Sequence, residues 1–296
     1  MVRNEIIEKF KKIPNHIQVV CVGTTRAHYA IDFSGEDYIG FNMALYKNPL
    51  EFHLPILQKY RRKIAKNAII LITLEYPIFC LRDIEKIAKE NMQQYAKVIC
   101  GRNPYCSMIH QIIKKILPQE ENPQTDVLQY MKVLEQKERY MNHFKQWEVD
   151  RMCKELIDDG WNREIDFPLF VQEGHLSHLS ELHSTMERNK KVLINLIRFC
   201  KANDWNPILL GLPYSKFVYD FVPDTFKQQC FYKNIQLVCK ETGCEFWDYT
   251  GEESLQEKNN YLEVQYLNKR GRGEFMKLIS QKLDNIVVKA GGEKGK

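Results

Sequence analysis

Apolar positions fall along this chain in two alternating styles, short unbroken runs and stripes at helical spacing. Val19-Val20-Cys21-Val22, Ala68-Ile69-Ile70-Leu71-Ile72-Thr73-Leu74 and Ile208-Leu209-Leu210-Gly211-Leu212-Pro213 are of the first kind. Runs of that length without polar alternation suit strands buried on both faces of a parallel sheet. Glu245-Phe246-Trp247-Asp248-Tyr249 reads as a further strand, and Tyr38 to Asn42 resumes apolar character after the Asp32-Phe33-Ser34-Gly35 turn. The second style predicts helices over 54–66, 182–203, 226–242 and 273–288. A short N-terminal helix over 4–12 is stopped by Pro14, and Gly243 stands where a helix C-cap belongs. Strand and helix alternate through both halves. The expectation is therefore an α/β fold, a three-layer α/β/α sandwich on a mostly parallel, flavodoxin-like sheet.

One region breaks the alternation. Residues 78–181 read as helices, a polar Pro-containing linker and a strongly charged helical stretch, closed by Asp159-Gly160-Trp161. They predict a helical insertion or lid within a single domain spanning 1–296. Residues 290–296 read as a disordered tail.

The sharpest local feature is the turn after the first strand, Gly23-Thr24-Thr25-Arg26-Ala27-His28. In an α/β sheet that turn lies at the carboxyl edge, where ligands bind. A glycine there lets main-chain N–H groups approach a ligand, and the hydroxyls of Thr24 and Thr25 face the same crevice.

Composition narrows the field. The chain has 296 residues, 44% of them hydrophobic, which is enough for one large core. Its net charge of +5 is mild and interspersed, with no basic stripe for nucleic acid. The charged first twelve residues do not read as a secretory signal, and no apolar run approaches the ~18 residues of a membrane span. Nine cysteines lie scattered without a CxxC pair, as in reduced thiols of a cytoplasmic protein. No phosphate loop, dinucleotide fingerprint or trusted metal spacing is present, so no cofactor and no metal are expected.

The segments Val-Gly-Thr-Thr-Arg-Ala-His-Tyr-Ala-Ile-Asp and Gly-Phe-Asn-Met-Ala-Leu resemble the opening of the SGNH (GDSL-like) hydrolase superfamily. The nearest branch is that of bacterial surface-polysaccharide and teichoic-acid modification proteins. The frame Leu267-Asn268-Lys269-Arg270-Gly271-Arg272 resembles the family's C-terminal block. The resemblance implies an O-acyl esterase or acyltransferase fold, with a glycan or acylated small molecule as partner. It places the nucleophile at Thr25, the base at Tyr266 and the orienting acid at Glu263, positions that carry Ser, His and Asp in the family. With all three residue types changed, the expectation is a catalytically degenerate relative. The alternatives are an active enzyme using Thr25 with a rewired base, and a non-catalytic glycan- or protein-binding domain. Gly23, Thr24, His28 and Asn42 are the expected substrate or oxyanion contacts. His28 lies about one helical turn from Thr25, and His175, His178 and His183 are the other candidates for a missing imidazole. Asn42 either donates to an oxyanion or ties down its turn.

Overall fold

The computed structural model describes residues 8–46, 48–81, 141–156 and 180–292. In chain order its elements are β1 (Ile17–Val22), α1 (Thr25–Ala30), β2 (Gly40–Asn42), α2 (His53–Tyr60), β3 (Ile64–Leu74), α3 (Gln146–Glu155), α4 (Ser180–Ala202), β4 (Asn206–Gly211), α5 (Lys216–Phe221), α6 (Lys233–Thr242), β5 (Glu245–Asp248), β6 (Tyr261–Glu263), β7 (Tyr266–Leu267) and α7 (Lys269–Gly292). β1 to β5 form one sheet in the order β2-β1-β3-β4-β5. All its pairings are parallel, with Val19 opposite Gly40, Val20 opposite Ile70, Ile70 opposite Pro207 and Leu209 opposite Phe246. This is the α/β fold that the hydrophobic pattern predicts, in the flavodoxin-like order.

The unbroken apolar runs explain the layering. β1 and β3 pair on both sides, and from Ala68 to Leu74 every residue of β3 is buried. Helices cover the sheet in two groups. α4 contacts α2, α6 and β4, while α7 contacts α1 and β3. The described part of 78–181 contributes α3 and a one-turn 3-10 segment, Met141–His143. The rest of the expected insertion lies outside the described residues, as do His175 and His178.

Several boundaries differ from the pattern. The helix expected over 54–66 ends at Tyr60, and Ile64 to Lys66 already belong to β3. Asn67 has a left-handed φ of 61° and donates its N–H to Asp204 O, so the strand kinks where polar residues interrupt it. The segment 226–242 is helical, but its first part winds as a π-helix over Lys227–Tyr232. Gly243 caps it as expected, with φ 63° and its N–H on Cys239 O. α7 starts four residues before the expected helix and runs to Gly292, so 290–292 are helix and not tail. The pattern missed α5 and the β6–β7 hairpin, because two- and three-residue strands are too short to show a period.

Candidate functional site at the carboxyl edge of the sheet

The strand order reverses between β1 and β3, which puts the switch point of the sheet at the turns following them. The β1–α1 turn comes close to β3. A Cβ on Gly23 would overlap Thr73 Oγ1 and stand 2.6 Å from Ala27 Cβ, so only glycine fits. Thr24 then caps α1, its Oγ1 accepting the Arg26 N–H at 3.3 Å. The same hydroxyl donates to Oε1 of Glu75, the first residue after β3. Thr24 and Glu75 are half-buried, whereas Thr25 is 9% exposed.

Arg26 knits this edge together. It is 3% exposed. Its Nη2 donates to Leu212 O (3.3 Å) and Pro213 O (2.6 Å) in the loop after β4, and its Nε donates to Gln265 O at 3.3 Å in the β6–β7 hairpin. The guanidinium lies 3.6 Å from the centre of the Tyr214 ring. Tyr214 in turn stacks on Tyr76, with ring centres 4.5 Å apart and planes within 4°. The Tyr214 hydroxyl accepts the Tyr76 N–H. Three pieces of chain, following β1, β4 and β5, thereby meet at one side chain, and Tyr214 links the piece after β3 to them.

The hairpin brings Glu263 and Tyr266 to the same edge. The Tyr266 ring sits 5.3 Å from that of Tyr29 on α1. Burial pushes the Glu263 carboxyl up to about 7, against the lowering effects of main-chain N–H groups at 264–266 and of Arg26. Its Oε1 accepts the Gln265 N–H at 3.2 Å. Among the described residues no hydrogen bond joins that carboxyl to the Tyr266 hydroxyl. The hydroxyl itself is pushed well above its ordinary value by burial, then by the Glu263 and Glu75 carboxylates.

The remaining sequence candidates resolve as follows. Asn42 donates both amide hydrogens, to Ala27 O and Ile31 O at 2.9 Å each, and its Oδ1 accepts the Ala44 N–H. It ties the end of α1 to the turn after β2, and an oxyanion would find no free donor on it. His28 is half-buried, with Nε2 3.2 Å from the Tyr46 hydroxyl and its ring edge-on to Tyr29. Burial, then Lys9 and Arg272, holds its pKa down to about 3, so it stays neutral. His183 is exposed on α4. Gly23 accepts the Leu45 N–H and the Asn48 side-chain amide on its carbonyl.

Two participants were missed by sequence reasoning. Arg26 is one residue beyond the expected nucleophile, and Glu75 is the carboxylate that directly follows the clearest apolar strand. That second placement was a readable signal, since a charge at the end of a buried strand must lie at the sheet edge. Among the described residues no group of three or more His, Cys, Asp or Glu side chains is placed to hold a metal ion. No helix among them is long and apolar enough to cross a membrane. A groove of about 770 Å³ lies elsewhere, between α4 and α6, lined by Lys190, Ile194, Arg198 and Leu237 among others.

No protein-family model matches the chain, and no curated protein matches it. A crystal structure of a Bacteroides fragilis protein provisionally called an acylhydrolase is similar over 96% of each chain, at 10% identity and a TM-score of 0.45. A likeness that slight carries no argument about chemistry.

Proposed function

We propose that the crevice at the carboxyl edge is an SGNH-like acyl-ester site that has lost Ser-His-Asp catalysis. In this reading it holds an O-acylated glycan or a related polyol. The observation that carries the reading is the state of the hairpin. Glu263 spends its carboxyl on a main-chain N–H of its own turn, where a catalytic acid would orient a base. The residue in the base position is a tyrosine, a poor proton acceptor near neutral pH, and burial pushes its hydroxyl further above its ordinary value. Thr25, in the nucleophile position, is almost wholly covered.

The test is p-nitrophenyl acetate hydrolysis by wild type, Thr25→Ala and Tyr266→Phe. A nucleophile or base in use contributes on the order of 10²–10⁴ in rate. The expected result is the same rate, however low, for all three proteins. A tenfold or greater fall in Thr25→Ala refutes the reading and restores Thr25 as the nucleophile. One observation favours a rewired enzyme, the Thr24–Glu75 contact.

A further inference from the structure

We propose that Thr24, with Glu75 as its proton acceptor, is the hydroxyl that takes an acyl group in this crevice. The inference rests on the reading above that the crevice admits acyl esters, and it moves the chemistry one residue away from the position that the family resemblance names.

Three observations separate Thr24 from Thr25. Thr24 is half-buried while Thr25 is almost wholly covered, so Thr24 is the more accessible of the two residues. Its Oγ1 donates to a carboxylate, and a threonine hydroxyl needs such a base to react. Its oxygen is also held in place by the Arg26 N–H, so the rotamer is fixed with the proton directed at Glu75. Glu75 has its own distinguishing feature. Among the described residues it forms no ion pair with any Lys or Arg, and its carboxylate's one hydrogen bond is with Thr24. Arg26, at the same sheet edge, gives its Nε and Nη2 to three main-chain carbonyls and makes no hydrogen bond or ion pair to Glu75. The two residues stand in the turns that follow the adjacent parallel strands β1 and β3, at the switch point of the sheet.

The step balances without a co-reactant. Oγ1 of Thr24 attacks the acyl carbonyl carbon as its proton passes to Glu75. The bond to the alcohol oxygen breaks, and the leaving alcohol takes that proton, leaving acyl-Thr24 and the Glu75 carboxylate. Water then attacks the ester, giving one proton to Glu75. Thr24 leaves, recovers that proton, and the free acid departs.

The experiment uses p-nitrophenyl acetate with full-length wild type, Thr24→Ser, Thr24→Asn and Glu75→Gln. It reads nitrophenolate release and the site of acetylation by peptide mass spectrometry. Asn keeps the N-cap acceptor of α1 but has no hydroxyl, and Gln keeps an acceptor for Thr24 but is a far weaker base. The expected result is acetyl on Thr24 in wild type and on the introduced hydroxyl at the same position in Thr24→Ser. Loss of that label and at least a tenfold fall in release are expected in Thr24→Asn and Glu75→Gln, with melting temperatures unchanged. Release that is unchanged in either variant overturns the proposal. Acetyl on Thr25 overturns it together with the reading of a lost relay. Neither release nor label in wild type overturns this proposal alone and leaves the lost-relay reading standing.

Discussion

Replacing Arg26 by Met keeps an apolar stem of similar reach and deletes the guanidinium. The change removes three hydrogen bonds from a charged donor and the contact with the Tyr214 ring. Bonds of that kind are worth about 1.5–3 kcal/mol each, and a desolvated cation–π contact about 2 kcal/mol. The gross loss is offset, because a buried guanidinium is costly to desolvate and Met has no such penalty. Gln265 O lies in a half-buried hairpin and can find water, whereas Leu212 O and Pro213 O are held in a buried loop. Two orphaned buried carbonyls, at about 1–3 kcal/mol each, set the net cost at roughly 3 kcal/mol. For a chain of this size that lowers the melting temperature by roughly 5 °C. Hydrogen exchange gives the local readout. Amides of the β6–β7 hairpin and of the Leu212–Tyr214 loop are expected to exchange faster, while those of β1 and β2 change only with global stability. Arg26→Lys keeps the charge but has no fork with which to reach two loops, so it is expected to recover less than half of the loss. A cost below about 1 kcal/mol in Arg26→Met, or hairpin protection identical to wild type, refutes the idea that this side chain holds the edge together.

Two other perturbations test separate parts of the structure. Gly23→Ala drives a methyl into Thr73 Oγ1 and to 2.6 Å from Ala27 Cβ. It is expected to cost about 2–3 kcal/mol in urea unfolding, and adding Thr73→Ala is expected to restore only part of it, because the contact with Ala27 remains. The Glu263 carboxyl is raised from 4.5 to about 7 in the folded chain, so between those values the folded state holds a proton that the unfolded state has lost. Its contribution is therefore full below pH 4.5 and lost as pH rises through 7. The stability of wild type minus that of Glu263→Gln is expected to fall by up to a few kcal/mol across this window, and a flat or rising difference contradicts the assigned environment.

How much of this was legible in the sequence follows from which forces set each part. The sheet was legible because β1, β3 and β4 are buried on both faces, and full burial writes itself as consecutive apolar residues. The β1–α1 turn was legible because one glycine and two hydroxyl residues interrupt that pattern. The hairpin was not, because its strands are held by long-range contacts and not by their own period. Arg26 was missed for a related reason. A charged residue in a turn reads as solvated, and its burial depends on carbonyls supplied almost two hundred residues later. Asn42 was recognised as important, but a side-chain amide gives no hint whether its hydrogens go to a ligand or to the main chain. The Thr24–Glu75 contact needs the parallel pairing of β1 with β3, which the sequence implied, and their register, which it did not.

That dependence on distant chain has a consequence for how the protein is made. As the chain leaves the ribosome, β1, β2 and β3 can pair among themselves once residue 74 has emerged. The outer edge of β3, from Ile69 to Leu74, has to wait for β4 at residues 206–211. Through the intervening synthesis, more than a hundred residues at about 5–20 per second, a long apolar strand edge stands open. Arg26 waits longer still, since the hairpin that supplies Gln265 lies 239 residues downstream. The crevice thus closes only when nearly the whole chain has emerged, and until β4 arrives the nascent half-sheet carries an unpaired edge open to aggregation.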